Sequence, residues 1–235
     1  GVSTKNLEFI KGSDFQLKPE YMYDFLQMAT NNNINDCKKA ASEVVKMGDN
    51  PKLSGLIYPI MQALDEEYLK VDVQYGGLDQ RKILMFAREN LPKIGYDSRV
   101  EVMTPIISGL IGKKMSASDV KSKIDLIDDE ESVKNKVKNA EMVIGDSDNG
   151  VMAFLKHVIM TVKSDGGKEF IVKRDKKFGG DLKYKNYEEI EKDYKAKKLH
   201  PLDLKNAVAE EINDLLKPFR KNKKMLESLS KDAYE

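Results

Sequence analysis

Residues 112 to 119 read Gly-Lys-Lys-Met-Ser-Ala-Ser-Asp, a glycine-bounded basic loop whose lysines and serines suit phosphate oxygens. Upstream, the alternating run Val71-Asp72-Val73-Gln74-Tyr75 feeds Gly76-Gly77, and a helix-forming stretch opens at Leu78-Asp79-Gln80-Arg81. Strand, double glycine, helix is the geometry that lets a backbone approach a nucleotide at the carboxyl end of a parallel strand. The two features, in this order and some thirty-five residues apart, indicate adenylate chemistry. Ahead of both, Tyr58, Gln62 and Asp65 stand at i, i+4 and i+7, so one helical face presents three polar groups to a small polar molecule. An amphipathic helix with a polar outer face would show the same spacing; only the company of the other features separates the two readings.

These groups need elements to carry them. Leu7-Glu8-Phe9-Ile10 predicts a short strand, and Pro19 the first turn of a helix whose buried face is Met22, Phe25, Leu26 and Ala29. A second helix is expected from Asn35-Asp36 to Gly48, and a third after Pro51, with Leu53, Leu56, Ile57 and Ile60 inside and Pro59 bending it. After the strand at 71–75 come a helix from Leu78 to about Glu89 and a strand over Val100–Met103. Asp128-Asp129-Glu130 begins a charged helix, acids favouring its amino end. Further helices are expected over Val151–Met160, Tyr187–Tyr194 and Asp203–Leu216, with a small hairpin turning at Gly166-Gly167 between Thr161–Lys163 and Phe170–Val172.

Composition sets broad limits. At 235 residues the chain holds one large domain or two small ones, and its net charge of +1 gives no sign of a nucleic-acid partner. Residues 1–110 carry 13 Lys/Arg against 15 Asp/Glu and the remainder 27 against 24, so the later half is only slightly the more basic. The single cysteine, Cys37, excludes an internal disulfide framework and fits a reducing cytosol; on its apolar stripe it reads as a small core residue. No apolar stretch approaches the ~20 residues that span a bilayer, so no membrane is expected. No Cys/His cluster suggests a structural metal.

Taken together, Tyr58-Pro59-Ile60-Met61-Gln62-Ala63-Leu64-Asp65, Gly76-Gly77-Leu78-Asp79-Gln80-Arg81-Lys82 and Lys114-Met115-Ser116-Ala117-Ser118 resemble the tyrosyl-tRNA synthetases, in the archaeal and eukaryotic branch of that class I family. The resemblance continues through Lys177-Phe178-Gly179-Gly180-Asp181 and His200-Pro201-Leu202-Asp203-Leu204-Lys205, which are similar to the family's anticodon-binding domain. It implies an α/β fold: the carboxyl-terminal half of a Rossmann-like catalytic domain over residues 1–127, then a mainly helical anticodon-binding domain over 128–235. The family's other ATP signature, His-x-Gly-His, has no counterpart here, since His157 and His200 are the only histidines and neither sits in such a setting. The chain thus reads as the carboxyl-terminal part of a synthetase, trimmed, processed or one half of a split enzyme, inactive without the missing half. The rival reading is a non-catalytic tRNA-binding or interaction protein descended from one.

The resemblance also assigns roles. Asp65 would accept the phenolic hydroxyl of L-tyrosine, while Tyr58, Gln62 and Gln80 hold its α-amino group. Gly77 and Asp79 would meet the ribose of ATP, though a tight turn and a helix amino-terminal acid explain them equally. Lys114, with Met115, Ser116 and Ser118, would stabilise charge on the departing pyrophosphate. Ala117 stands where many members carry a second lysine, and Lys113 can compensate. Arg81 would read the first acceptor-stem base pair of tRNA(Tyr), or simply take a salt-bridge partner. Phe178 would stack on an anticodon base and Asp203 accept from a guanine edge, in a pocket shaped by His200 and Pro201; Asp203 also suits a helix cap. The lysines and arginine at 173, 174, 176, 177, 195, 197 and 198 would meet phosphates or form a solvated face. His157 reads as a core-edge histidine. Magnesium is expected with ATP, held mainly by phosphates and water. A homodimer with contacts on the first two helices, or a separate amino-terminal half chain, would be the protein partners.

Overall fold

Proline presets the backbone of a helical first turn and leaves no amide hydrogen orphaned there, and α1 (Pro19–Asn31) begins on Pro19. The computed structural model describes residues 3–112, 115 and 119–234, which divide into two compact units, Gly1–Ile106 and Ile107–Glu235. In the first, α2 (Ile34–Ala41) is entered through a capping box in which Asn33 and Asp36 exchange side-chain-to-backbone hydrogen bonds. Next come α3 (Leu53–Tyr68), which continues through Pro59, and β1 (Val73–Gly77). A 3-10 turn over Leu78–Gln80 then leads into α4 (Arg81–Asn90) and β2 (Val100–Thr104).

β1 and β2 pair in parallel, from Val73 opposite Val100 to Gly77 opposite Thr104. Parallel neighbours need a crossover, and α4 supplies it, burying Ile83, Leu84, Phe86 and Ala87. α3 buries Ile60, Ala63 and Leu64 into a core shared with Phe15, Tyr21, Met28 and Cys37. Each large aliphatic side chain sealed this way contributes about 1.5–3 kcal/mol.

The second unit holds α5 (Glu130–Lys138), capped by Asp129, and α6 (Gly150–Phe154), capped by Asn149. A π-helical turn over Leu155–Ile159 joins α6 to α7 (Met160–Asp165). β3 (Phe170–Val172) pairs antiparallel with β4 (Leu182–Tyr184), followed by α8 (Tyr187–Lys195), α9 (Pro201–Lys221) and α10 (Lys223–Tyr234). Its core gathers Val133, Val137, Leu155, Phe170, Ile190 and Val208. The chain is therefore mixed α/β and mostly helical, a Rossmann-like βαβ piece followed by a helical part, as the sequence implied.

Several local expectations need correcting. Residues 7–10 form no strand; Leu7, Phe9 and Ile10 are exposed, with no second strand beside them to share their hydrogen bonds among the described residues. On α1, Met22 and Leu26 face outward and Tyr21 and Met28 inward, because the helix turns Tyr21 towards α3. α2 stops at Ala41, short of Gly48. Residues 161–163 belong to α7, and Gly166-Gly167 end that helix, Gly167 at φ 61°. The partner of β3 is β4, not the segment before the glycines. Leu110, just past the junction of the two compact units, is sealed in the core of the second. No helix among the described residues is long and apolar enough to cross a membrane.

Candidate active site

The best-organised polar group of the first unit is the Asp65 carboxylate. Gln16 Nε2 lies 3.0 Å from Oδ1 and 3.1 Å from Oδ2, and the Tyr21 hydroxyl donates to Oδ1 at 2.8 Å. Tyr21 is fully buried, with edge contacts to Phe15 at 5.8 Å and Tyr68 at 4.8 Å between ring centroids. Burial first, and then the charge of Asp65, push its phenol far above the usual range, so it stays protonated and donating. Neither Gln16 nor Tyr21 was singled out in the sequence.

One helical turn before Asp65, Gln62 donates from Nε2 to Gln80 Oε1 at 3.2 Å, tying α3 to the turn after β1. Gln62 Oε1 is buried and has no hydrogen-bond partner among the described residues. An orphaned buried acceptor costs about 1–3 kcal/mol, which a bound donor would relieve. Tyr58, a turn earlier on α3, is 45% exposed. Of the four residues expected around an amino acid, Gln62 and Gln80 are in direct contact, and Tyr58, Gln62 and Asp65 share one helix.

At the carboxyl end of β1 the two glycines are closely approached by side chains, and neither has a positive φ. A Cβ on Gly77 would stand 2.5 Å from Asp79 Oδ1, and one on Gly76 3.3 Å from the Gln80 Cβ and Cγ. Asp79 therefore folds back over Gly77 at the carboxyl end of β1. Thr104, closing the ladder on β2, donates to the Gly76 carbonyl at 3.3 Å. Arg81 is exposed at the start of α4. Lys82 is engaged: it donates to Ser42 Oγ at 2.8 Å and Glu43 Oε1 at 2.7 Å.

In the second unit the stem of the basic loop is well tied. Leu110 donates its amide to the Ser122 carbonyl at 2.9 Å and accepts from the Glu141 amide at 2.8 Å. The Glu141 carboxylate takes the Gly112 amide at 3.1 Å, and a Cβ on Gly150 would come within 2.0 Å of the Gly109 carbonyl oxygen. Lys113, Lys114, Ser116, Ala117 and Ser118 lie outside the described residues; Met115 is partly buried.

The second cluster expected in that unit centres on Phe178 and His200. Phe178 ends a 3-10 turn, Lys176–Phe178, capped by Asp175, and is followed by Gly179 at φ 95° and Gly180 at φ 75°. Its ring is 64% exposed, with Lys177 Nζ 5.0 Å from the ring centroid. Arg174 links this turn to the approach of α9, donating from Nε to Gly180 O at 3.0 Å and from Nη1 to Lys198 O at 3.4 Å. His200, not Asp203, caps α9: its Nδ1 accepts from the Leu202 amide at 3.2 Å, which leaves the proton on Nε2. Pro201 opens the helix, and the partly buried Asp203 sits in its first turn with its carboxylate free of the capping role.

Of the basic residues around it, Lys173, Lys177, Lys195 and Lys198 pair with Glu210, Asp175, Glu191 and Asp193. Exposed pairs of this kind are worth about 0–1 kcal/mol and exchange readily with other anions. His157, on the π-helical turn, is partly buried; burial and then Lys156 hold its pKa below the ordinary value. No group of three or more His, Cys, Asp or Glu that could hold a metal occurs among the described residues.

The family model for class I tRNA synthetases (W and Y) matches residues 1–217. A cytoplasmic tyrosine–tRNA ligase from Danio rerio is 48% identical over 237 residues, covering 100% of this chain and 44% of its own length. The tyrosine–tRNA ligase of Haloarcula marismortui is 41% identical, covering 100% of this chain and 68% of its own. The crystal structure of tyrosyl-tRNA synthetase complexed with L-tyrosine from Archaeoglobus fulgidus superimposes with a TM-score of 0.83 at 43% identity, covering 91% of this chain and 66% of that one.

The chain belongs to the class I tRNA synthetases of the tryptophan and tyrosine family. Its homologues along the whole length are tyrosyl-tRNA synthetases of the eukaryotic and archaeal type. It spans less than half the length of the vertebrate relatives it matches.

Proposed function

We propose that this chain carries the amino-acid and ribose subsites, the signature loop and the anticodon surface of a tyrosine–tRNA ligase. Such an enzyme joins the tyrosine carboxylate to the α-phosphate of ATP, releases pyrophosphate and transfers the tyrosyl group to tRNA. The observation that carries the reading is the Asp65 carboxylate: Gln16 meets both of its oxygens and Tyr21 meets Oδ1, so Oδ2 keeps the spare capacity to accept a phenolic hydrogen. The orphaned Gln62 Oε1, beside Gln80, supports an ammonium contact at the other end of the ligand, with Tyr58 on the same helix.

Gly77 and Asp79 would receive the ribose, and Lys114, Met115, Ser116 and Ser118 the phosphates, with magnesium bound through those phosphates. Arg81 would meet the tRNA acceptor end; Phe178, His200, Pro201 and Asp203 would meet the anticodon. Residues 1–127 and 128–235 would be the corresponding functional domains. The apolar side chains exposed on α1 and α2, Met22, Tyr23, Leu26 and Ile34, support a homodimer through those helices. A cytoplasmic setting is supported by the likeness to the cytoplasmic tyrosine–tRNA ligases of Danio rerio and Saccharomyces cerevisiae. Full turnover would need the amino-terminal half that bears the other ATP signature, on the same or a separate chain.

The test is calorimetric titration of tyrosine and phenylalanine into the protein and its Asp65→Asn variant. Preference for tyrosine that disappears in Asp65→Asn supports the reading. Equal affinity for the two amino acids in the unaltered protein, or preference that survives the substitution, contradicts it.

A further inference from the structure

Glu66 follows the phenol acceptor on α3 and turns the other way, into the first unit, where it is 2% exposed. Neither of its carboxylate oxygens has a hydrogen-bond partner among the described residues. The same holds for Oε1 of Glu101 on β2, whose side chain is 4% exposed. The charged groups around the pair are few. Arg88 on α4 donates to the other Glu101 oxygen at 2.8 Å. Arg99, just ahead of β2, is engaged by Glu67 on α3 and by the Asp97 carbonyl. Arg88 is thus paired with Glu101 itself and Arg99 with Glu67, and neither donates to Glu66.

Three carboxylate oxygens are therefore sealed from water without a donor. An ionised Glu66 in such surroundings loses its hydration and gains no donor in return, and a proton on it removes that penalty. We propose that Glu66, sealed on α3 without a donor, holds a proton in the folded chain, and that its loss loosens the first unit. The titration behaviour agrees with the geometry. Burial first, then the charge of Glu101, push Glu66 up to about 7, against the opposing pull of Arg99.

The sign follows from linkage. In an unfolded chain Glu66 ionises near its ordinary value of 4.5, whereas in the folded unit it keeps its proton to about 7. Between those values only the folded chain holds the proton, so stability falls as pH rises through that window and levels off above it. Glu66 lies on the helix that also carries Asp65, so a looser α3 would carry the amino-acid subsite with it. The proposal itself stands whether or not tyrosine is the substrate.

The experiment is urea unfolding of the full chain from about pH 5 to about pH 9. Cys37, its single thiol and buried in the first unit, reports opening through a brief labelling pulse under one fixed condition. The unaltered protein should show an unfolding constant that rises by up to about tenfold per pH unit below about pH 7 and is level above it. Glu66→Gln, neutral throughout, should lose that slope. The same slope in Glu66→Gln, or none in the unaltered protein, overturns the proposal. Should Glu66→Gln fail to fold, infrared spectra of the unaltered protein decide. A protonated-carboxyl band present at about pH 6 and gone by about pH 8 supports the proton on Glu66; its absence at the lower pH overturns it.

Discussion

Tyr21 on α1 donates its phenolic hydrogen to Asp65 on α3 at 2.8 Å, across 44 residues of sequence. Burial and the Asp65 charge keep that phenol protonated, and its one hydrogen is shared between Oδ1 and the Met61 carbonyl, each 2.8 Å away. Gln16 bridges both oxygens and fixes the plane of the group. A carboxylate held in this way meets a ligand hydroxyl without first paying to order itself, which is the physical basis of a subsite formed in advance.

Tyr21→Phe removes one donor and preserves the ring packing against Phe15 and Tyr68. A hydrogen bond to a charged group is worth about 1.5–3 kcal/mol, and this hydroxyl also lies 2.8 Å from the Met61 carbonyl. The expected outcome is lower thermal stability and about a tenfold weaker tyrosine affinity, read by melting and calorimetry. An unchanged affinity would show that Asp65 is oriented without it.

Gln16→Leu keeps the bulk and removes the bridge to both Asp65 oxygens. Freed to rotate, Asp65 should lose discrimination more than affinity: the preference for tyrosine over phenylalanine should shrink by about tenfold in competition binding. Loss of both amino acids in equal measure would point to a collapsed pocket instead.

Gly77→Ala places a methyl group where Asp79 Oδ1 now stands 2.5 Å away, and the carboxylate must swing aside. The expected result is an apparent ATP affinity reduced by between about ten- and a hundredfold, with tyrosine binding unchanged. Equal loss of both would assign the glycine to the fold of the turn alone.

His200 and Asp203 separate stability from recognition on α9. Removing the cap in His200→Ala should cost about 0.5–2 kcal/mol of unfolding free energy. Asp203→Ala should stay within about 0.5 kcal/mol of the unaltered protein while weakening binding of cognate tRNA, measured by filter retention. If Asp203→Ala destabilises as strongly as His200→Ala, its carboxylate serves the helix and not the RNA.

What the sequence made legible is what local spacing encodes. Pro19 and Pro51 mark the starts of helices, alternation marks β1, and the double glycine marks its carboxyl end; the structure places these elements close to where they were expected. Tyr58, Gln62 and Asp65 were visible because they share one helical face. Gln16 and Tyr21 were not, because they reach Asp65 from 49 and 44 residues away and no periodicity reports a contact of that range. The same limit explains the hairpin. β3 chooses β4 across the Lys176–Phe178 turn, while Gly166-Gly167, which looked like its turn, ends a helix instead. On α1 the apolar run Met22, Phe25, Leu26 offered a plausible inner face, but Tyr21 and Met28 pack inward while Met22 and Leu26 remain exposed. The cap of α9 was missed because His200 does with Nδ1 what an Asp is expected to do with a carboxylate.

The most direct test of the proposed activity is tyrosine-dependent exchange between ATP and pyrophosphate, run on this chain alone and then with the amino-terminal half of a close relative added. The account predicts exchange that requires tyrosine, appears on addition of that half and falls by about 10²–10³ in rate in Lys114→Ala. Exchange absent from both reactions, with tRNA still bound, would contradict it and leave a synthetase-derived RNA-binding protein.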